Sequence, residues 1–267
     1  MSAPDARTRD SVTLRIRSAA ACSLLGLAVG ACGREDTPPS NAEAPPGRAT
    51  ELDTKILEKG AEALQDLAPV RSLDHYLNGF HVMKDDTSLH MEAHHYCKGM
   101  NEEFTQCVIF DGNTATSNLI GIEFIISERS FESLADDEKP SWHPHNYEIL
   151  SGQLILPGVP AIAEKAALEK KINSYGKTWH VWDTGHAGHP AAHALPVGRP
   201  LLAWSYNRDG EAPVGLVEGR DARMHVDTAE KRSERATLSS RAKPQLGVDA
   251  LKAKLPGTGA PPGVIAR

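Results

Sequence analysis

Between positions 51 and 67 the apolar residues Leu52, Ile56, Leu57, Ala61, Leu64 and Leu67 recur near helical spacing, and Pro69 follows. A helix is expected there. The period then changes. Residues 105–110 and 119–127 are rich in β-branched side chains and bounded by Asp111-Gly112-Asn113, which predicts an antiparallel pair. Residues 130–137 read as a short helix, 147–156 as a strand with a turn or bulge at Ser151-Gly152, and 161–175 as a helix stopped by Gly176. Segments 178–182 and 201–206 read as strands and 221–235 as a polar helical stretch, whereas 73–83 has a mixed pattern. Helices and strands are interspersed without βαβ spacing and without an internal repeat. The expected class is therefore α+β, a mainly antiparallel sheet with flanking helices, over 51–240.

The two ends break this pattern. Arg7 to Arg17 form a basic stretch, and 18–31 (SAAACSLLGLAVGA) is apolar and uncharged. Such a run is too short for a bilayer core, which needs about 20 residues. It has the length and flank of a signal peptide, residues 1–31. Val29-Gly30-Ala31-Cys32 resembles a lipobox, in which the cysteine is acylated and becomes the first mature residue. An ordinary cleaved signal or a buried apolar helix are the rival readings. Residues 32–50 hold four Pro among small and charged residues and read as a disordered tether. The Pro/Gly-rich stretch 241–267 reads as a flexible tail.

Composition narrows the classes. With 40% hydrophobic and 24% charged residues the chain is globular rather than disordered or multi-spanning. Removing the leader's four Arg and two Asp takes the net charge from -6 to -8. That acidity, with no basic stripe, excludes nucleic acid as a natural partner. The expected partners are a membrane, through the N-terminal lipid, and a small or lipidic ligand. The expected place is the cell envelope, at the outer membrane or the periplasmic face of the inner membrane.

Six blocks carry a resemblance. They are Leu77-Asn78-Gly79-Phe80-His81, Glu92-Ala93-His94-His95-Tyr96-Cys97, Gln106-Cys107, Leu119-Ile120-Gly121-Ile122-Glu123, Trp142-His143-Pro144-His145-Asn146-Tyr147-Glu148 and Tyr175-Gly176-Lys177-Thr178-Trp179-His180. In this order they resemble the oil-body-associated protein family, a domain of unknown function. The resemblance implies a fold and a lipid-proximal setting, and it implies no reaction.

The chemistry centres on histidine, of which there are twelve. In extended chain His143 and His145 share one face, so both imidazoles could meet one ion, with Glu148 three residues on. The pattern looks faintly like the first metal motif of cupins, with a shorter spacing to Glu. His94 and His95 are adjacent, so on a strand only one could join them. Glu123 in an apolar strand needs a partner, a histidine or a metal. Two readings follow for His143, His145, Glu148, Glu123 and one of His94 and His95. Either they hold a divalent transition metal, or they form a hydrogen-bonded network. Cys97 and Cys107 could pair as a disulfide, remain free thiols, or lend one sulfur to the His cluster. The histidines of 185–193 read as a surface loop. No nucleophile elbow, phosphate loop or HExxH motif is present. The first functional reading is thus a non-catalytic, lipid-anchored binding protein, and the alternative is a metal-dependent, cupin-like enzyme.

Overall fold

The computed structural model describes residues 45–185, 190–191 and 193–267. The leader, Cys32 and most of the tether lie outside the described residues, as do His186 and His189. Chain order is α1 (Leu52–Leu64), α2 (Ala68–Arg71), β1 (His75–Met83), β2 (His90–Asn101), β3 (Phe104–Phe110), β4 (Leu119–Ile126) and α3 (Glu128–Glu132). Then come β5 (His143–Pro144), α4 (Asn146–Ser151), α5 (Ala161–Glu169), β6 (Tyr175–His180), β7 (Leu201–Trp204), α6 (Leu216–Met224) and α7 (Thr228–Arg235).

The strands run in the order β4-β3-β2-β1-β7-β6, and β6 returns to pair with β4. All pairings are antiparallel, so the sheet closes into a six-stranded barrel, with β5 beside the start of β6. The α+β class holds in this more specific form. Closure removes exposed sheet edges and forces alternate residues into a lumen. The turn after β3 is tied by Asp111, whose carboxylate accepts from Asn118 N and Nδ2 at 2.8 and 2.9 Å.

Three local expectations are corrected. Residues 147–156 are not a strand. The segment enters α4 after His145, stays helical to Ser151 and ends at Gly152, whose φ of 86° suits a left-handed cap. The polar stretch 221–235 is two helices, broken at His225 with φ of 52°. The C-terminal segment 241–267 is packed, not frayed. Leu251 and Leu255 join Phe80, Val82, Tyr147 and Trp204 in one core cluster against β1 and β7. Gln245 N donates to Ile265 O at 2.9 Å, and Arg267 N returns to Gln245 O at 3.1 Å. By contrast the helix α1 forms where its periodicity predicts but buries none of its residues.

Candidate functional site

Register shows which residues line the lumen. Leu77 faces His95, Cys97 faces Cys107, Cys107 faces Glu123, and Glu123 faces Thr178. Following the alternation along each strand gives three layers. Leu77, Cys97, Cys107 and Ile125 form an apolar layer at one end, closed by Ile149, Leu150 and Leu154. Met83, Met91, Ala93, Ile109 and Ala203 form another at the opposite end. Between them lie His81, His95, Glu123, His143, Thr178 and His180, all buried. Polar groups enclosed between two greasy layers must satisfy one another or hold a ligand.

Each is delivered by a specific piece of backbone. Pro144 cannot extend a ladder as donor, so β5 is only two residues long, paired to Tyr175 and Gly176. The chain then turns into α4, which leaves His143 and His145 on one side with Nε2 atoms 3.3 Å apart. Both meet Glu123 Oε1, His145 at 3.2 Å and His143 at 3.6 Å. The other carboxylate oxygen, Oε2, lies 2.8 Å from His95 Nε2 and 3.9 Å from His81 Nε2. The 2.8 Å approach is a contact without hydrogen-bond alignment, because both His95 nitrogens lack a hydrogen-bond partner. His81 Nδ1 meets His180 Nε2 at 2.9 Å. Among the described residues, His81, His95 and Glu123 form one triplet that could hold an ion, and Glu123, His143 and His145 a second.

Gly176 makes the convergence sterically possible. A Cβ there would fall 2.6 Å from Nε2 of both His143 and His145 and overlap Glu123 Oε1. The charge state is equally set by enclosure. Burial pushes His143 and His180 down to about 3 and His81 well below its ordinary value. Burial alone would raise Glu123, but the imidazoles around it, His95 foremost, hold it well below the usual carboxylate range. Glu148 moves the other way, well up, through burial and the charge of Glu123.

The placement of the expected site residues is uneven. His143, His145, His95 and Glu123 are brought together. Glu148 lies 3.9 Å from His145, on a helix rather than a barrel strand, and burial favours its neutral acid. His94 lies on the outer wall, where Tyr76 Oη is 2.6 Å from its Nδ1 and Glu92 Oε1 3.1 Å from its Nε2. Cys97 and Cys107 are bridged to each other in the apolar layer, so neither sulfur serves the histidines. Two lumen residues, His81 and His180, carried no chemical assignment in the sequence, although each stands at an inward position of its strand.

Residues 67–239 match the family model described as "Protein of unknown function (DUF1264)". Oil body-associated protein 1B of Arabidopsis thaliana is 37% identical over 212 residues, covering 79% of this chain and 85% of the relative. The chain belongs to the oil-body-associated, DUF1264 family. Oil body-associated proteins 1A and 2A of Zea mays are 38% and 36% identical, each over 206 residues, covering 77% and 76% of this chain and 83% and 80% of the relatives. No solved structure matches it. The lumen cluster, from His81 to His180, falls wholly within the part matched to the DUF1264 model.

Proposed function

We propose that this DUF1264 protein is a binding barrel that holds one divalent transition-metal ion in its lumen, at His143, His145 and Glu123, with His95 and His81 beside them. One observation carries the reading. Ser174 Oγ donates to Lys171 O at 2.7 Å, so toward His145 Nδ1, 2.8 Å away, it can only accept. In the neutral ring this puts the proton on Nδ1 and leaves the Nε2 lone pair aimed at Glu123 Oε1 and His143 Nε2. With His143 in the same tautomer, three electron-rich atoms converge, which a cation resolves; in the other tautomer His143 Nε2–H donates across the gap, and the metal analysis below separates the two. Ser174 is the kind of outer partner that orients a ligating histidine.

Size and donor type agree. Metal–ligand bonds of about 2.0–2.1 Å at the tetrahedral angle separate donors by about 3.3 Å. The three separations here are 3.2, 3.3 and 3.6 Å. Imidazole plus carboxylate suits first-row ions such as zinc, iron(II) or nickel rather than calcium. When bound, such an ion supplies Lewis acidity to whatever enters beside it. Gln245 keeps the surrounding turn in place, accepting from Asn146 N at 3.1 Å and donating to Ser174 O at 3.1 Å.

Metal analysis of the purified full chain tests this. The wild type should carry close to one ion per chain and the His143→Ala/His145→Ala variant almost none. A metal-free wild type after loading with zinc, iron(II) or nickel would reduce the cluster to a proton-sharing His/Glu network and end the reading.

We further propose that the barrel is held at a lipid surface through acylated Cys32, in the cell envelope. The short apolar run before Cys32 and the Pro-rich stretch after it support this. The relatives, named for association with oil bodies, supply a parallel lipid-proximal setting. No helix of the described residues is long and apolar enough to cross a membrane. Cells fed labelled palmitate should incorporate it into the wild type and not into Cys32→Ser. Label in neither protein would overturn the anchor.

A further inference from the structure

We infer that the cleft beside the His/Glu cluster binds an amphiphilic monocarboxylate, its head on Lys171 and its hydrocarbon tail along the cleft. Two neighbouring spaces carry the inference. A small inner cavity of about 10 Å³, room for roughly one water or ion, is lined by His81, His95, Glu123, His145, Glu148 and Lys171 among others. A half-open cleft of about 490 Å³ lies beyond it, and Leu77, Ile125 and Lys171 line both. Its further walls include Phe104, Ile126, Leu156, Ala167 and Leu168. That volume is of the size that encloses a small organic ligand, and its apolar walls with the half-buried cation of Lys171, beside Lys170, Glu102 and Glu103 in the same lining, suit an amphiphile.

Lys171 is the discriminating group. Its Nζ donates to Thr105 Oγ1 at 3.2 Å, and among the described residues no carboxylate lies within ion-pair distance of it. Burial lowers its pKa, while the negative charges of Glu123, Asp74 and Glu102 oppose that fall. A cation half-enclosed in apolar walls, hydrogen-bonded to a hydroxyl but paired with no carboxylate among the described residues, attracts an anion. The same three acids limit the anion's charge. A single negative head is tolerated, and a doubly charged phosphate is repelled. The position of this site follows from the lumen described above, but the binding does not require the ion.

The full chain, treated with EDTA, is titrated with octanoate, decanoate, decanol and decyl phosphate below their micellar concentrations. Affinity should rise about fourfold per methylene from octanoate to decanoate. Decanol, matching the tail without the charge, should bind at least about tenfold more weakly. Lys171→Met should lower decanoate to the level of decanol. Should that variant not fold, the decanoate–decanol contrast in the wild type and blockage of the cleft by Ala167→Phe carry the test. Equal binding of decanoate and decanol, tighter binding of decyl phosphate, or an unaltered Lys171→Met would each overturn the assignment. Metal content is measured on separate, untreated protein, so failure of the metal reading and failure of this one are read independently.

Discussion

Alanine at Gly176 is expected to empty the barrel of metal and to cost about 1–3 kcal/mol of stability, the usual range for overpacking a filled interior. The glycine stands on β6 opposite His143, where its missing side chain leaves the space in which Glu123, His143 and His145 converge. Its backbone is ordinary strand, so the requirement is one of room, not of conformation. A methyl group would take the position an ion shares with these donors, 2.6 Å from two of them. The side chains cannot retreat. Glu123 is enclosed by the ladder to β3 and β6, and His145 is tied to Ser174. Gly99→Ala is the matched control, since a Cβ there meets nothing within 4 Å. Metal per chain and the urea midpoint would be measured for both variants. Full metal occupancy with an unchanged midpoint in Gly176→Ala would show that the space is not where the ion sits.

Much of this arrangement was legible in the sequence, and the illegible parts share a cause. Strands β3 and β4 were readable because β-branched residues mark them and Asp111-Gly112-Asn113 separates them. The α1 helix was readable from periodicity, which reports that a stripe exists and not what covers it. Leu52, Ile56, Leu57 and Leu64 are in fact exposed. Strand β1 gave a mixed signal because both its faces are buried, Leu77 and His81 toward the lumen and Phe80 and Val82 under the C-terminal segment. Alternation vanishes when neither face meets water. The short helix α4 is buried at every position, so it carries no period, and Tyr147–Ile149–Leu150 looked like a strand core. Pro and Gly in the C-terminal stretch suggested fraying, yet Val248, Leu251 and Leu255 are buried. Within the site, His94 and His95 face opposite ways as adjacent strand residues do, and Glu123, an acid in an apolar strand, stands among the histidines. His81 and His180 escape a local reading, because what joins them is β7, which pairs with β1 on one side and β6 on the other, a long-range arrangement no local pattern records. The cupin-like spacing singles out Glu148, which stands 3.9 Å from His145, whereas Glu123, more than twenty residues earlier in the chain, meets both His143 and His145.

Arg235→Met should destabilise the domain by about 3–5 kcal/mol, the range for removing one member of a buried ion pair. Arg235 is almost fully enclosed on α7. Its Nη1 donates to Ile149 O at 3.1 Å and Leu154 O at 2.7 Å, which fastens α7 to the segment closing the barrel end. Its Nη2 pairs with Glu164 Oε2 at 3.1 Å, and Lys231 Nζ reaches the same oxygen at 2.8 Å. Glu164 Oε1 accepts from Leu156 N at 2.8 Å. Burial raises the pKa of Glu164, but Lys231, the Leu156 amide and Arg235 outweigh it and hold the carboxyl below its usual range. A carboxyl depressed in the folded state contributes stability that is present above its unfolded pKa of about 4.3. That contribution disappears as pH falls through the lower, folded value. Removing Arg235 weakens the depression, so less of the variant's stability should disappear between pH 7 and pH 4, and its deficit against the wild type should be smaller at pH 4. Two carbonyls also lose their donor, a loss that persists at every pH. The double variant Glu164→Gln/Arg235→Met should therefore cost less than the sum of the single changes, because it no longer leaves a buried carboxylate with Lys231 in place of two cations. Urea midpoints of all four proteins at pH 7 and pH 4 decide the matter. Strict additivity, with the same loss at both pH values, would mean that Arg235 acts through its carbonyl bonds and not through Glu164.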